Sequence, residues 1–116
     1  MSEIGPVWVY AEQEEGNLAE VGLELLSKGR QLADELSARL GAMLLGADVR
    51  DLVPRLIAQR ADDVLLADDP RLRFYATLPY ARVVTEMIRE YAPHVVLFAS
   101  SHIGRDLAPR VASALR

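Results

Sequence analysis

AMLLGADVRDLVPRLIAQRADDVLLAD, residues Ala42 to Asp68, decides the fold of this chain. AMLLGA (Ala42 to Ala47) is a short apolar strand, ADVRDLVPRLIAQR a helical stretch, and DDVLLAD (Asp62 to Asp68) the next strand. If the helix starts after Asp51, Pro54 lies in its first turn, where the missing N–H has no intrahelical partner to lose. The same unit is written on either side. Upstream, VWVYAE (Val7 to Glu12) is a β-branched and aromatic run without alternation, as in a strand buried on both faces, and a helix from about Ala19 to Leu40 follows it. Downstream, DPRLRFYATLP is an irregular connection, Pro79 opens a helix that runs over Tyr80 to Tyr91, Pro93 ends it, and HVVLFAS (His94 to Ser100) is a fourth strand. Strands and helices alternating at this interval imply βαβ crossovers. The expectation is an α/β chain in three α/β/α layers, with a doubly wound, mostly parallel sheet.

The first helix carries the most detail. Gly22, Leu25, Leu26, Gly29, Leu32, Ala33, Leu36 and Leu40 recur at three- and four-residue steps on one stripe. Glu24 with Lys28 and Glu35 with Arg39 are i,i+4 pairs on the charged face, and Gly41 is placed to end the helix in the left-handed conformation. A glycine inside a helix costs about 1 kcal/mol relative to alanine, so two of them on the apolar stripe point to close approach between helix and sheet. Trp8 is expected in the core.

With 116 residues, 51% of them hydrophobic and 26% charged, residues 1–116 have the profile of one compact domain. Seventeen acids against 13 lysines and arginines leave a formal charge of −4, and the arginines are interspersed with acids, so no electrostatic footprint for nucleic acid is present. No apolar stretch approaches the roughly 18 residues of a membrane span, and MSEIGP carries no basic-then-hydrophobic leader. The expectation is a cytoplasmic protein without membrane insertion. The absence of cysteine excludes disulfides, thiolate ligands and a thiol nucleophile, and His94 and His102 give little basis for zinc. No pairing of nucleophile with base, or of two carboxylates, is apparent, so the chain is not expected to be an enzyme.

One turn stands apart: SSHIGRDLAPR, Ser100 to Arg110, beyond the carboxyl end of the fourth strand, where open parallel sheets collect ligands. Asp106 reads as an N-cap, with Leu107, Ala108 and Pro109 as a first helical turn whose free N–H groups suit an anion. The plainer reading is an ordinary strand-to-helix turn, with Asp106 and Arg110 as a solvated i,i+4 pair. The closing RVASALR lacks a stop signal, and VVLF is a strongly hydrophobic strand near a sheet edge, so the chain reads as a piece of something larger and prone to self-association.

Four segments, VWVYAEQEEGNLAEVGLELLSKGRQLADEL, LLGADVRDL, ADDVLLADDPRLRFYATLPYARVV and SSHIGRDLAPRVASAL, together resemble the N-terminal domain of the alpha subunit of electron-transfer flavoproteins. The resemblance covers essentially the whole chain and is closest to the subfamily linked with anaerobic and electron-bifurcating metabolism. It implies an adenine-nucleotide-alpha-hydrolase-like, Rossmann-like fold that packs against a similarly folded beta subunit. It also implies service to dehydrogenases through the full complex, and FAD held mainly by a C-terminal domain that this sequence does not contain. In that family the AMP or second flavin belongs to the beta subunit, and the GRD segment faces the shared interface.

By that resemblance Arg105 is the candidate for a charge near the second flavin, with a solvent-facing arginine as the plain alternative. Ser101 is a candidate donor to the same cofactor, or a hydroxyl satisfying a turn. Tyr75 and Tyr80 read as interface residues or as loop anchors, and His102 lacks a partner for acid–base work. Two other functions stay on the table. One is a free-standing module binding an adenine nucleotide or FAD, against which the acidic first loop EQEEGN counts. The other is a hydrolase or transferase, for which no constellation is visible.

Overall fold

The computed structural model describes residues 4–116. Its elements run β1 (Val7–Tyr10), β2 (Gln13–Glu14), β3 (Asn17–Leu18), α1 (Glu20–Leu36), β4 (Leu40–Gly46), α2 (Val53–Ala58), β5 (Asp63–Asp68), α3 (Thr77–Tyr91), β6 (Val95–Leu97) and α4 (His102–Ala114). Four strands form one parallel sheet in the order β5-β4-β1-β6. The central strands β1 and β4 are buried on both faces, as their unbroken apolar runs require. Val7, Val9, Leu40, Ala42 and Leu44 point into the layer closed by α1 and α2. Trp8, Tyr10, Met43 and Leu45 point into the layer closed by α3 and α4. The chain is thus a three-layer, doubly wound α/β fold, as its pattern implies, and Trp8 is in the core at 2% exposure.

The glycine stripe of α1 does bring backbone against sheet. A methyl added at Gly29 would lie 2.6 Å from Val9 Cγ2 and 3.1 Å from Leu40 Cδ1. Gly41, by contrast, does not end α1. The helix stops at Leu36, with Ser37 left-handed at φ 53° and the Ala38 N–H returning to the Ala33 carbonyl at 2.8 Å. Gly41 lies inside β4 because Trp8 needs the space: an added methyl would stand 2.7 Å from the indole. Arg39, now beyond the helix, pairs with Asp63 at 2.9 Å instead of with Glu35. Pro54 falls in the first turn of α2, as its position suggests.

The acidic stretch after β1 is more ordered than a loop. β2 and β3 pair antiparallel across Glu15 and Gly16, both at positive φ, the geometry of a tight hairpin turn. The last helix starts earlier than Asp106. Ser101, extended at φ −100° and ψ 175°, caps α4 by accepting the Gly104 N–H at 3.0 Å. Asp106 and Pro109 therefore lie inside the helix, and Pro109 leaves the Arg105 carbonyl without a helical donor. Among the described residues β6 pairs on one side only, with β1, and its residues are half-buried.

Candidate functional site

The chain reaches β4 from β1 on one side and returns to β6 on the other, so the winding reverses between β1 and β6. In open α/β sheets a crevice forms at such a reversal, beyond the carboxyl ends of the strands. Here it holds about 540 Å³ and is lined by Glu12, Gln13, Phe74, Tyr75, Ser101 and His102 among others.

The floor of this crevice is a carboxylate. Glu12, only 5% exposed, accepts the Ser101 hydroxyl at 2.8 and 2.7 Å through its two oxygens. Ser101 Oγ in turn takes the Gly104 N–H, so the start of α4 is coupled through one hydroxyl to a negative charge of the chain's own. A helix N-terminus at this place favours an anion, and Glu12 supplies it. The same substitution occurs one strand along. Backbone N–H groups of Asp48, Val49 and Arg50, after β4, converge on the Asp68 carboxylate at 2.8, 3.2 and 3.2 Å. Such a nest of amides is where a phosphate would sit. Both places suited to an anion are filled from within.

Opposite Glu12 stands an aromatic wall on the connection between β5 and α3. Asp69 caps a 3₁₀ turn over Pro70–Leu72 by accepting the Arg71 N–H at 2.8 Å, and two further bonds from the Arg71 guanidinium hold its carboxyl near pKa 2. Tyr80 donates its hydroxyl to the Leu72 carbonyl at 2.5 Å, and the Tyr75 ring meets Tyr80 edge-on at 4.9 Å. Asp106, read from sequence as a cap paired with Arg110, instead accepts Thr77 Oγ1 at 2.5 Å and the Tyr75 hydroxyl at 2.6 Å. These bonds, Thr77's first, draw the Asp106 carboxyl below its usual range. Burial, then the Asp106 bond, pushes the Tyr75 phenol up to about 12. Tyr75 and Tyr80 are therefore anchors of this connection, and the aromatic ring it leaves in solvent is Phe74, 68% exposed.

Arg105 is exposed on the first turn of α4, and among the described residues its side chain makes one long hydrogen bond, Nε to Ser100 Oγ at 3.3 Å. Ser101, the other sequence candidate, lies four residues back with its proton committed to Glu12. The sequence pattern missed three participants: Glu12 as the partner of Ser101, Phe74 as an exposed ring, and Asp68 as the acceptor of an amide nest. The run EQEEGN signalled acidity at the rim, but a contact between residues 89 apart leaves no local mark. Among the described residues no group of three or more histidine, cysteine or acidic side chains could hold a metal, and no helix is long and apolar enough to cross a membrane.

The family model described as "Electron transfer flavoprotein domain" matches residues 7–116. An electron transfer flavoprotein subunit alpha of Thermoanaerobacterium thermosaccharolyticum is 43% identical over 115 residues, which is 99% of this chain and 35% of that protein. The subunit alpha of Megasphaera elsdenii is 44% identical over 116 residues, covering 100% and 34% respectively. A protein of Anaerotignum propionicum named acryloyl-CoA reductase electron transfer subunit beta is 43% identical over 109 residues, 94% of this chain and 30% of its own length. The chain thus spans about a third of the length of the curated relatives it matches.

Proposed function

Since the chain belongs to the electron transfer flavoprotein domain family, we propose that it is the N-terminal interaction domain of an alpha subunit, which supports flavin-mediated electron transfer by holding a beta subunit against its carboxyl-end rim. The observation that carries this reading is that amides at the rim are already engaged from within the chain: the Asp68 carboxylate takes the Asp48, Val49 and Arg50 N–H groups, and Ser101 Oγ, itself bonded to Glu12, takes that of Gly104. The pyrophosphate of FAD or the phosphate of AMP needs those amides free, so the residues present do not fit a nucleotide. A surface in that state, with exposed apolar side chains beside it, suits a protein. The FAD of the parent complex then sits outside this chain, in a further alpha-subunit domain and on the beta subunit. Relatives named for an acryloyl-CoA reductase and a lactate dehydrogenase support service to dehydrogenases of that kind.

Within this proposal Arg105 reaches the cofactor held by the beta subunit. Its guanidinium is exposed and loosely held, free to place charge and planar donors on a flavin or nucleotide. Ser101 would have to release Glu12 to donate there; otherwise it acts by fixing the start of the helix that carries Arg105. Native mass spectrometry of the chain, alone and then with AMP, FAD and a purified beta subunit, tests the reading. Mass gained only with the beta subunit supports it. Stoichiometric AMP or FAD on the chain alone refutes it in favour of a free-standing nucleotide module.

A further inference from the structure

We infer that the apolar ridge of Phe74 and Leu78 is a docking surface for an arginine-bearing segment of the beta subunit, laid across the carboxyl-end rim. The inference rests on the interaction-domain reading and names the chemistry of the partner's contact. Phe74 and Leu78, each 68% exposed, protrude further than any other large apolar side chain among the described residues. Each of the two side chains borders a recess. Behind Phe74 is the crevice over Glu12, and beside Leu78 is a groove of about 580 Å³ whose apolar lining includes Leu72, Pro79 and Val83. The ridge is held in place: Tyr75 and Thr77 are fixed by Asp106, and Tyr80 by the Leu72 carbonyl. A surface ordered beforehand loses little entropy on binding.

Charge selects the occupant. The segments at the carboxyl ends of the strands, residues 11–18, 47–52, 68–76 and 98–106, hold eight acids and four arginines. Their balance of −4 is the formal charge of the entire chain, so the remaining nine acids and nine bases cancel. Two of the rim arginines are already spent, Arg71 on Asp69 and Arg73 on Asp48, each at 2.9 Å. Glu14 and Glu15 line the crevice beside Phe74 and form no ion pair among the described residues. An aromatic face bordered by two free carboxylates suits a guanidinium, which stacks on the ring and donates to both acids. A second copy is a poor occupant, because a two-fold interface through this rim would set one net-acidic face against another. A phosphate-bearing ligand is repelled in the same way.

The test is the association of the chain with its cognate beta subunit, measured at low and at physiological ionic strength. Paired Glu14→Lys and Glu15→Lys should slow association about tenfold at low salt, with the difference shrinking as salt is added. Phe74→Ala should weaken equilibrium binding at least about fivefold. Paired Glu35→Lys and Glu90→Lys, exposed and away from the rim, carry the same charge change and should leave both quantities near those of the unaltered chain. If the two charge-reversed proteins behave alike, or Phe74→Ala binds as the unaltered chain does, the docking site is wrong while the interaction domain stands. If the unaltered chain does not bind the beta subunit, the interaction reading fails and the docking site with it.

Discussion

Replacing Gly104 by alanine sets helix propensity against packing, and the structure says which wins. Inside a helix alanine is favoured over glycine by about 1 kcal/mol, so propensity alone makes Gly104→Ala stabilising. The added methyl, however, would overlap the Ala99 carbonyl oxygen and lie 2.9 Å from that residue's carbonyl carbon and 3.3 Å from Ser101 Oγ. Carbon–oxygen contacts need about 3.3 Å, so the start of α4 must move off the end of β6 by on the order of an ångström. That movement strains the Ser101 cap, about 1 kcal/mol, and the Ser101 bond to the Glu12 carboxylate, about 2 kcal/mol, on top of the overpacking itself at about 1–3 kcal/mol. After subtracting the propensity gain, the substitution destabilises by about 3–5 kcal/mol. In urea unfolding with an m-value of about 2 kcal/mol per molar, the midpoint falls by about 1.5–2.5 M. Ala108→Gly, a propensity change further along the same helix, should lower it by only about 0.5 M. A Gly104→Ala midpoint equal to or above that of the unaltered protein would refute the account of how α4 is seated.

Gly29→Ala should destabilise by about 1 kcal/mol, because overpacking against Val9 and Leu40 exceeds the gain in propensity. Adding Val9→Ala, which removes the methyl it would strike, should make the pair of substitutions less than additive in a double-mutant cycle; strict additivity would show that the two do not touch. The Tyr75 phenol should titrate near 12 by ultraviolet absorption and fall back toward 10 in Asp106→Ala. Because folding raises this pKa, the stability linked to it is complete below about pH 10 and is lost as the pH rises toward 12, so the loss of stability across that window should be smaller in the variant, whose folded-state pKa lies nearer the unfolded value. An unchanged Tyr75 titration in Asp106→Ala would remove Asp106 from the clamp.

The layers and the parallel sheet were legible because they rest on local pattern. Unbroken apolar runs gave β1 and β4, punctuating prolines located α2 and α3, and the two glycines on one helical stripe announced α1 against the sheet. What failed depended on distant neighbours. Gly41 looked like a helix stop, yet its role is to leave room for Trp8, which is adjacent only once β1 and β4 pair. Asp106 looked like a cap, yet Ser101 took that role because Glu12, at the other end of the chain, holds its hydroxyl. At the rim, the sequence announced negative charge but not its destinations, since Asp68 takes amides that follow a different strand and Glu12 takes a hydroxyl 89 residues away.

The Glu12–Ser101 bond also has a consequence for how the chain is made. Glu12 emerges from the ribosome 89 residues before Ser101, an interval of roughly 5–20 s at ordinary rates of synthesis. Through that time β1 can pair with β4, while its other edge, carrying VWVY, has no neighbour because β6 has not been made. The nascent sheet is therefore open along a strand that is buried on both faces in the finished fold, the condition in which chains recruit chaperones or misassociate. Closure of Ser101 onto Glu12 marks the end of that exposure, so weakening this bond should lower soluble yield during synthesis by more than it lowers the stability of the finished protein.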